Sequence, residues 1–195
     1  MNDSWDDYAL EWDSNDDAIN YSEKAYKSLS QLVMTDNKNI LDFGCGTGLL
    51  SEKLASSAKT IVALDLSPKM ISVLNSKNIR NVISISEPLT TELIKNNTAF
   101  KNKFIIIVAS SVCSFLPDYE TTLKLLKSLL LNDGLFVQWD WLSPDNKPEF
   151  GLSEAGINQA LNGAGFKQIS ITKPFAVSGP EGSMPVVMGV AKNTG

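Results

Sequence analysis

The chain has 195 residues, 43% of them hydrophobic and 20% charged, and these proportions are typical of a globular domain with a full core. Its net charge of −5 argues against nucleic acid as a partner, because phosphate backbones are bound by basic surfaces. The chain contains no histidine, which excludes His-dependent acid–base catalysis, Ser-His and Cys-His nucleophile pairs and most His-containing metal sites, and we expect no metal.

Neither a membrane segment nor a secretory signal is predicted. No run of about 18 apolar residues occurs, and the acidic N-terminus lacks the basic-then-apolar pattern of a signal peptide. Cys45 and Cys113 are too few for a disulfide framework and suit a reducing cytosol, so we expect a cytoplasmic protein with no membrane partner. The length predicts a single domain over residues 1–195, with residues 1–36 as an N-terminal helical cap.

The first 20 residues form an acidic leader without Lys or Arg. Three aromatic residues, Trp5, Tyr8 and Trp12, are interleaved with its acids, which are Asp3, Asp6, Asp7, Glu11, Asp13, Asp16 and Asp17. Charge runs are usually solvated, so one interpretation is an exposed leader whose aromatic side chains pack on the sheet edge. A helix is predicted to follow over residues 17–34.

Beyond this helix, strand-like apolar runs alternate with helical patterns, which predicts a parallel α/β sheet. The predicted strands are Asn39–Phe43, Thr60–Leu64, Val82–Ile85, 104–108, 135–141, 166–177 and 186–192. The last two are separated by a Gly- and Pro-containing connection, residues 178–185, which predicts an antiparallel hairpin.

Helices are predicted between these strands. Ser67 followed by Pro68 is a strong helix start. The other helices are expected over residues 49–57, over residues 87–95, from the Asp118 cap to a stop at Asp133-Gly134, and from the Ser153 cap to Gly163.

One turn carries the strongest functional signal. Residues 42–48 read D-x-G-x-G-x-G between the first strand and the next helix, and such a turn lets a ligand touch bare backbone. The dinucleotide fingerprint G-x-G-x-x-G requires a third glycine where this chain has Leu49. A second acid, Asp65, ends the second strand 21 residues after Gly44 (65 − 44).

The stretches LDFGCGTG and ALDLSPKMI resemble the motifs of class I S-adenosylmethionine-dependent methyltransferases, in their small-molecule branch. The likeness runs from about Trp5 to Lys192, and only these two motifs are specific. It implies a three-layer Rossmann-like fold whose mostly parallel seven-stranded sheet has the order 3-2-1-4-5-7-6, with the last-numbered strand antiparallel. In this family the N-terminal segment often closes over cofactor and substrate, so a lid is the alternative interpretation of the leader.

The resemblance also implies a set of cofactor-binding residues. The turn would lie against the methionine and ribose, Asp42 would accept bonds near the cationic amino group, and Asp65 would accept both ribose hydroxyls. The full implied set is Asp42, Gly44, Cys45, Gly46, Gly48, Asp65, Leu66, Met70, Glu87, Ser110, Tyr8 and Trp12.

Several of these residues have a structural alternative. Cys45 fits as a small residue in the turn, and Met70 fits as a core residue. Glu87, which competes with Ser86 for the adenine amino group, is equally suited to be an acid at a helix N-terminus.

The function implied is methyl transfer to a small-molecule acceptor, with S-adenosylhomocysteine as product. Aligning donor and acceptor can supply about 7–11 kcal/mol of the barrier, so a general base is required only where the acceptor must lose a proton, and we assign no catalytic residue. Asp140, between Trp139 and Trp141, is a speculative substrate-facing group. Two alternatives stay open: a cofactor-binding protein of the same fold without transfer activity, and a nicotinamide-dependent oxidoreductase.

Two positions depart from the family pattern. Phe104-Ile105 stands where Phe-Asp is usual, and Ser114-Phe115 stands near the place of a His pair. Neither change affects the cofactor motifs, but both weaken assignment to a named subfamily. The sequence leaves the acceptor, the methylated atom and the oligomeric state open.

Overall fold

The computed structural model describes residues 5–143, 151–179 and 182–194. Its strands form one seven-stranded sheet in the order β3-β2-β1-β4-β5-β7-β6, as predicted. The strands are β1 (Asn39–Phe43), β2 (Thr60–Leu64), β3 (Val82–Ile85), β4 (Phe104–Ser110), β5 (Leu130–Trp141), β6 (Lys167–Gly179) and β7 (Gly182–Asn193).

Helices connect the strands, as the alternating pattern predicts. The α-helices of the described residues are α1 (Asp16–Leu32), α2 (Leu49–Ala55), α3 (Pro68–Ser76), α4 (Thr91–Asn96), α5 (Tyr119–Leu129) and α6 (Glu154–Gly163). Short 3-10 turns occur at Trp5–Asp7, Trp12–Ser14, Thr98–Phe100 and Cys113–Phe115. Within the described part of the chain, no helix has the length and apolar character needed to cross a bilayer.

The chain divides into two compact units, Met1–Asn102 and Lys103–Gly195. In the first unit β1 and β2 are parallel, and their last four residues are all buried. Burial on both faces explains why these strands are continuous apolar runs in the sequence. β3 pairs in parallel with β2 and is partly exposed, as suits a strand at the edge of the sheet.

In the second unit β4 and β5 are parallel, and β7 is antiparallel to both β5 and β6. The antiparallel hairpin and the antiparallel last-numbered strand are therefore as predicted. The strands approach each other to Gly179 and Gly182, so the connection is shorter than the predicted 178–185. Residues 144–150, between β5 and α6, lie outside the described residues.

Two helix predictions are wrong in their boundaries. Glu87 does not begin a helix, because α4 starts at Thr91 and the Thr90 hydroxyl caps it by accepting the Leu93 N–H at 3.0 Å. Asp133-Gly134 does not stop α5, which ends at Leu129. Asp133 lies instead within β5 in a left-handed conformation (φ 59°), where the pairing register with β4 shifts, and Asp tolerates such a position better than most residues.

Candidate functional site

The turn after β1 is left-handed at each of its three glycines, with φ of 71° at Gly44, 54° at Gly46 and 82° at Gly48. Other residues adopt such values at an energetic cost, which explains the alternating glycines. The amides of Gly44 and Cys45 both donate to the Leu64 carbonyl, at 2.8 and 3.1 Å. These two bonds fix the turn to the carboxyl end of β2.

Asp65, directly after β2, joins the two predicted halves of the site. Its Oδ2 accepts the Gly46 N–H at 2.8 Å, and its Oδ1 accepts the Ser67 N–H at 2.8 Å. Burial raises the pKa of Asp65, while these backbone donors act in the opposite direction because they favour the charged form. The glycine turn and the carboxylate predicted to act together are thus in direct contact.

Asp42, the acid that begins the turn motif, is 1% exposed. Its Oδ2 accepts the Ser51 hydroxyl at 2.7 Å, whereas its Oδ1 has no hydrogen-bond partner among the described residues. Burial, together with the negative charge of Asp65, raises the pKa of Asp42 to about 6. A buried acceptor without a donor fits a ligand that brings a cationic hydrogen-bond donor.

Trp12 and Met70 flank the middle of the turn. A Cβ added to Gly46 would lie 4.0 Å from the Trp12 Nε1 atom and 4.0 Å from the Met70 Sδ atom. Trp12 also packs edge-on against Trp5, with ring centroids 5.7 Å apart. The structure therefore brings Trp12 to the glycine turn.

The remaining implied residues of the first unit are more exposed. Leu66 is 67% exposed and Tyr8 is 47% exposed, so both have surface available to a ligand. Glu87 is exposed and lies four residues before α4, so the alternative of a helix N-terminal acid is wrong. Contacts of these side chains with a cofactor stay predictions.

Ser110 and Asp140 lie in the second unit, at the carboxyl ends of β4 and β5. Asp140 is fully buried, and its carboxylate accepts the Ser114 N–H at 3.1 Å and the Gln138 Nε2 hydrogen at 3.0 Å. Gln138 in turn accepts the Tyr119 hydroxyl. Burial raises the pKa of Asp140 to about 7 despite these donors. With no exposed surface, Asp140 is a supporting group of this network, contrary to the substrate-facing role considered from the sequence.

Sequence reasoning missed two acids of the leader that reach the site. Asp13 accepts the Thr47 hydroxyl in the glycine turn, and Asp6 accepts the Ser67 hydroxyl at the start of α3. The only signal in the sequence was the dense run of acids around Trp5 and Trp12, which does not indicate which of them have a partner. Among the described residues, no group of three or more His, Cys, Asp or Glu side chains is arranged to hold a metal ion.

Comparison with known proteins identifies relatives over part of the chain. The chain is 32% identical over 101 residues to the ubiquinone biosynthesis O-methyltransferase of Actinobacillus pleuropneumoniae serotype 5b (strain L20). This match covers 50% of the chain and 43% of that protein. Over 106 residues it is 37% identical to an uncharacterized methyltransferase of Schizosaccharomyces pombe, covering 51% of this chain and 37% of that protein. The chain thus spans less than half the length of these relatives.

The fold has a counterpart in the crystal structure of magnesium protoporphyrin IX methyltransferase from Synechocystis PCC 6803 with bound S-adenosylmethionine. The TM-score is 0.65 at 18% identity, covering 89% of this chain and 79% of that one. The model of one family, described as a methyltransferase domain, matches residues 20–159, which is well over half of the chain. The resemblance to class I methyltransferases is confirmed, and the chain belongs to the methyltransferase domain family.

Proposed function

We propose that this protein transfers a methyl group from S-adenosylmethionine to a small-molecule acceptor, with the donor bound in the first unit. One observation carries the proposal: the Gly46 N–H is held by the Asp65 carboxylate at 2.8 Å. This contact joins a bare-backbone turn to a carboxylate at the end of the neighbouring strand, where ligands of open α/β sheets bind. A ligand with a ribose and a charged amino acid portion matches both chemistries.

The charge at the turn favours this donor over a dinucleotide. Asp65 lies close enough to Asp42 that its negative charge helps to raise the pKa of Asp42, and burial strengthens the effect of such charges. Such a site attracts a sulfonium and an ammonium group and repels a pyrophosphate. Leu49 stands in place of the third glycine of the dinucleotide fingerprint, which also argues against a dinucleotide.

The residues of the turn would divide the binding work. Each Asp65 oxygen has accepted one hydrogen bond and can accept another, so both remain available to ribose hydroxyls. The Asp42 Oδ1 atom is buried and has no partner among the described residues, so it would accept a hydrogen bond from the amino group, directly or through water, and Leu66 offers exposed apolar surface to the adenine. Met70 and Trp12 would form the wall opposite Gly46. When bound, S-adenosylmethionine supplies the activated methyl group.

The acceptor is proposed from the relatives rather than from a pocket. The Actinobacillus relative is an O-methyltransferase, so an oxygen nucleophile on a small molecule is the first choice. Incubation with labelled S-adenosylmethionine and a panel of phenols, amines and thiols would test it, and label on phenols is expected. A protein that binds the donor but labels no acceptor would instead be a binding protein of the same fold.

Calorimetric titration with S-adenosylmethionine, S-adenosylhomocysteine and NAD(H) tests the donor site itself. We expect the two sulfur compounds to bind and Asp65→Ala to weaken their binding by about 1.5–3 kcal/mol, which is typical of a hydrogen bond to a charged group. Asp36→Ala removes an exposed acid from the same unit and should leave the affinity unchanged. Binding of NAD(H) alone, or equal affinities for Asp65→Ala and wild type, would contradict the proposal.

A further inference from the structure

Residues 5–14, the part of the acidic leader that precedes α1, are attached to both halves of the proposed donor site. Its 3-10 turns, Trp5–Asp7 and Trp12–Ser14, each contribute one acid that accepts hydrogen bonds from the first unit. The partners are 34 residues away for Asp13 and 61 residues away for Asp6, so these contacts are tertiary and do not arise from local turn formation. They fix where the leader lies.

Asp13 connects the leader to the glycine turn and to the end of α3. Its Oδ1 accepts the Thr47 hydroxyl at 2.5 Å, and its Oδ2 is 2.8 Å from the Lys77 Nζ atom. Lys77 also pairs with Glu52 at 3.2 Å, which links the same ion pair to α2. Thr47 is fully buried and Lys77 is only 16% exposed, so this contact is better shielded from solvent than an ordinary surface ion pair.

Asp6 attaches the other end of the leader next to Asp65. Its Oδ1 accepts the Ser67 hydroxyl at 2.5 Å and the Lys69 N–H at 3.2 Å. Ser67 accepts the Met70 N–H with the same hydroxyl oxygen and donates its own N–H to Asp65. The residue that holds Asp6 is therefore also bonded to the carboxylate proposed to bind ribose.

Trp12 lies between these two attachments. Its Nε1 atom is 4.0 Å from the Cβ position of Gly46, the glycine whose amide Asp65 accepts. The edge-on contact with Trp5 joins the indole to the first 3-10 turn. Trp12 is thus next in sequence to Asp13 and is in ring contact with the 3-10 turn that contains Asp6.

On the basis of the proposed function, we propose that Asp6 and Asp13 are positioning residues that clamp the leader over the bound donor, so that donor and product leave only when the clamp opens. Neither acid needs to touch the ligand. They act through Trp12, which they hold against Gly46, and through Thr47 and Ser67, which they tie to the leader. The residence time of the ligand then depends on how fast the Asp6 and Asp13 hydrogen bonds break, and not on the glycine turn alone.

The test compares Asp6→Ala/Asp13→Ala with wild type and with a matched control, Asp7→Ala/Glu11→Ala. The control removes two exposed acids of the same leader, so it changes the net charge equally. Stopped-flow displacement of S-adenosylhomocysteine gives the dissociation rate constant, and thermal unfolding shows whether each variant is folded. We expect the clamp variant to release the ligand about tenfold faster, with the control unchanged.

A readout without ligand separates this inference from the proposed function. Acrylamide quenching of tryptophan fluorescence should rise in the ligand-free clamp variant, because the half-buried Trp12 becomes more accessible, while Trp5 is already exposed and Trp139 stays fully buried. Binding of S-adenosylhomocysteine to wild type with equal release rates in all three proteins would overturn the clamp and leave the donor site standing. Faster association with unchanged release in the clamp variant would overturn it too, because the leader would then block the site. If wild type binds no S-adenosylhomocysteine, the proposed function fails. Equal quenching in the ligand-free clamp variant and wild type would reject the clamp, whatever the outcome of the binding experiment.

Discussion

Two buried carboxyl groups, Asp140 and Asp42, differ in how many of their oxygens have hydrogen-bond partners. Asp140 has both of its oxygens hydrogen-bonded within the second unit, whereas Asp42 keeps one oxygen without a partner among the described residues. A satisfied buried acid is typical of a structural network, and an unsatisfied one at a glycine turn is typical of a ligand site. Pairing with a cationic group should return the pKa of Asp42 to below its ligand-free value of about 6.

The titration of Asp140 predicts a pH dependence of stability. Its folded pKa of about 7 lies above the ordinary 3.8, so the folded state holds a proton that the unfolded state releases. The free energy of unfolding should therefore fall as the pH rises from about 4 through about 7, and remain level above. Asp140→Asn cannot titrate and should reduce this fall by about 2–4 kcal/mol.

Urea unfolding of wild type and Asp140→Asn at half-unit pH steps checks the slope. Asp118→Asn is the matched control. The Asp118 carboxylate is exposed, and the Thr121 N–H lowers its pKa. Asp118 therefore makes the free energy of unfolding rise with pH, in a lower pH range than Asp140. A wild-type slope that Asp140→Asn leaves unchanged would assign the titration to another group, with Asp42 the first candidate.

At the scale of elements, the strand–turn–helix unit from β1 to α2 explains both the fold and the site. The turn requires left-handed backbone at Gly46 and Gly48 alike, but the space around the two glycines differs. A Cβ on Gly46 would meet nothing nearer than 4.0 Å, while a Cβ on Gly48 would lie 2.3 Å from the Leu74 Cδ1 atom. Gly46 is thus open towards the proposed ligand, and Gly48 packs on α3.

This difference predicts different effects of two alanine substitutions. Both should lose about 1–2 kcal/mol of stability through the left-handed backbone, and Gly48→Ala should lose a further ~1–3 kcal/mol because Leu74 is buried and must move. Urea denaturation measures both, and equal losses would show that Leu74 yields without strain. Gly46→Ala, the better-folded variant, should bind S-adenosylhomocysteine more weakly than wild type, because its methyl group fills the space beside Trp12.

At the scale of the whole molecule, the strands were predictable because the buried ones are short apolar runs separated by capped helices, whereas their order in the sheet followed from the resemblance to the methyltransferase family. The contact between Gly46 and Asp65 was predictable because parallel neighbouring strands bring their carboxyl ends together. The contacts of the leader were not predictable from the sequence, because the pairing of Asp13 with Thr47 depends on tertiary placement that no local pattern encodes. The wrong helix end at Asp133 has the same origin: strand pairing overrode a local stop signal.

Ligand binding should raise the stability of the whole molecule in a way that depends on the donor site. S-adenosylhomocysteine at about 100 times its Kd should add ~2.7 kcal/mol to the free energy of unfolding, since only the folded chain binds it. A thermal shift assay at fixed ligand concentration should show a clear increase in Tm for wild type and a smaller one for Asp65→Ala. NAD(H) at the same concentration should leave Tm unchanged, and a shift with NAD(H) only would reverse the assignment.

Both native thiols are shielded, Cys45 at 8% and Cys113 at 1% exposure, and burial raises the pKa of each. Thiolates are the species that react with maleimides, so neither side chain competes well for such a reagent. Leu10, in the leader, is 85% exposed. A dye coupled to Leu10→Cys would therefore label one chosen place and report the leader's movement in real time, with the wild-type cysteines left in the protein.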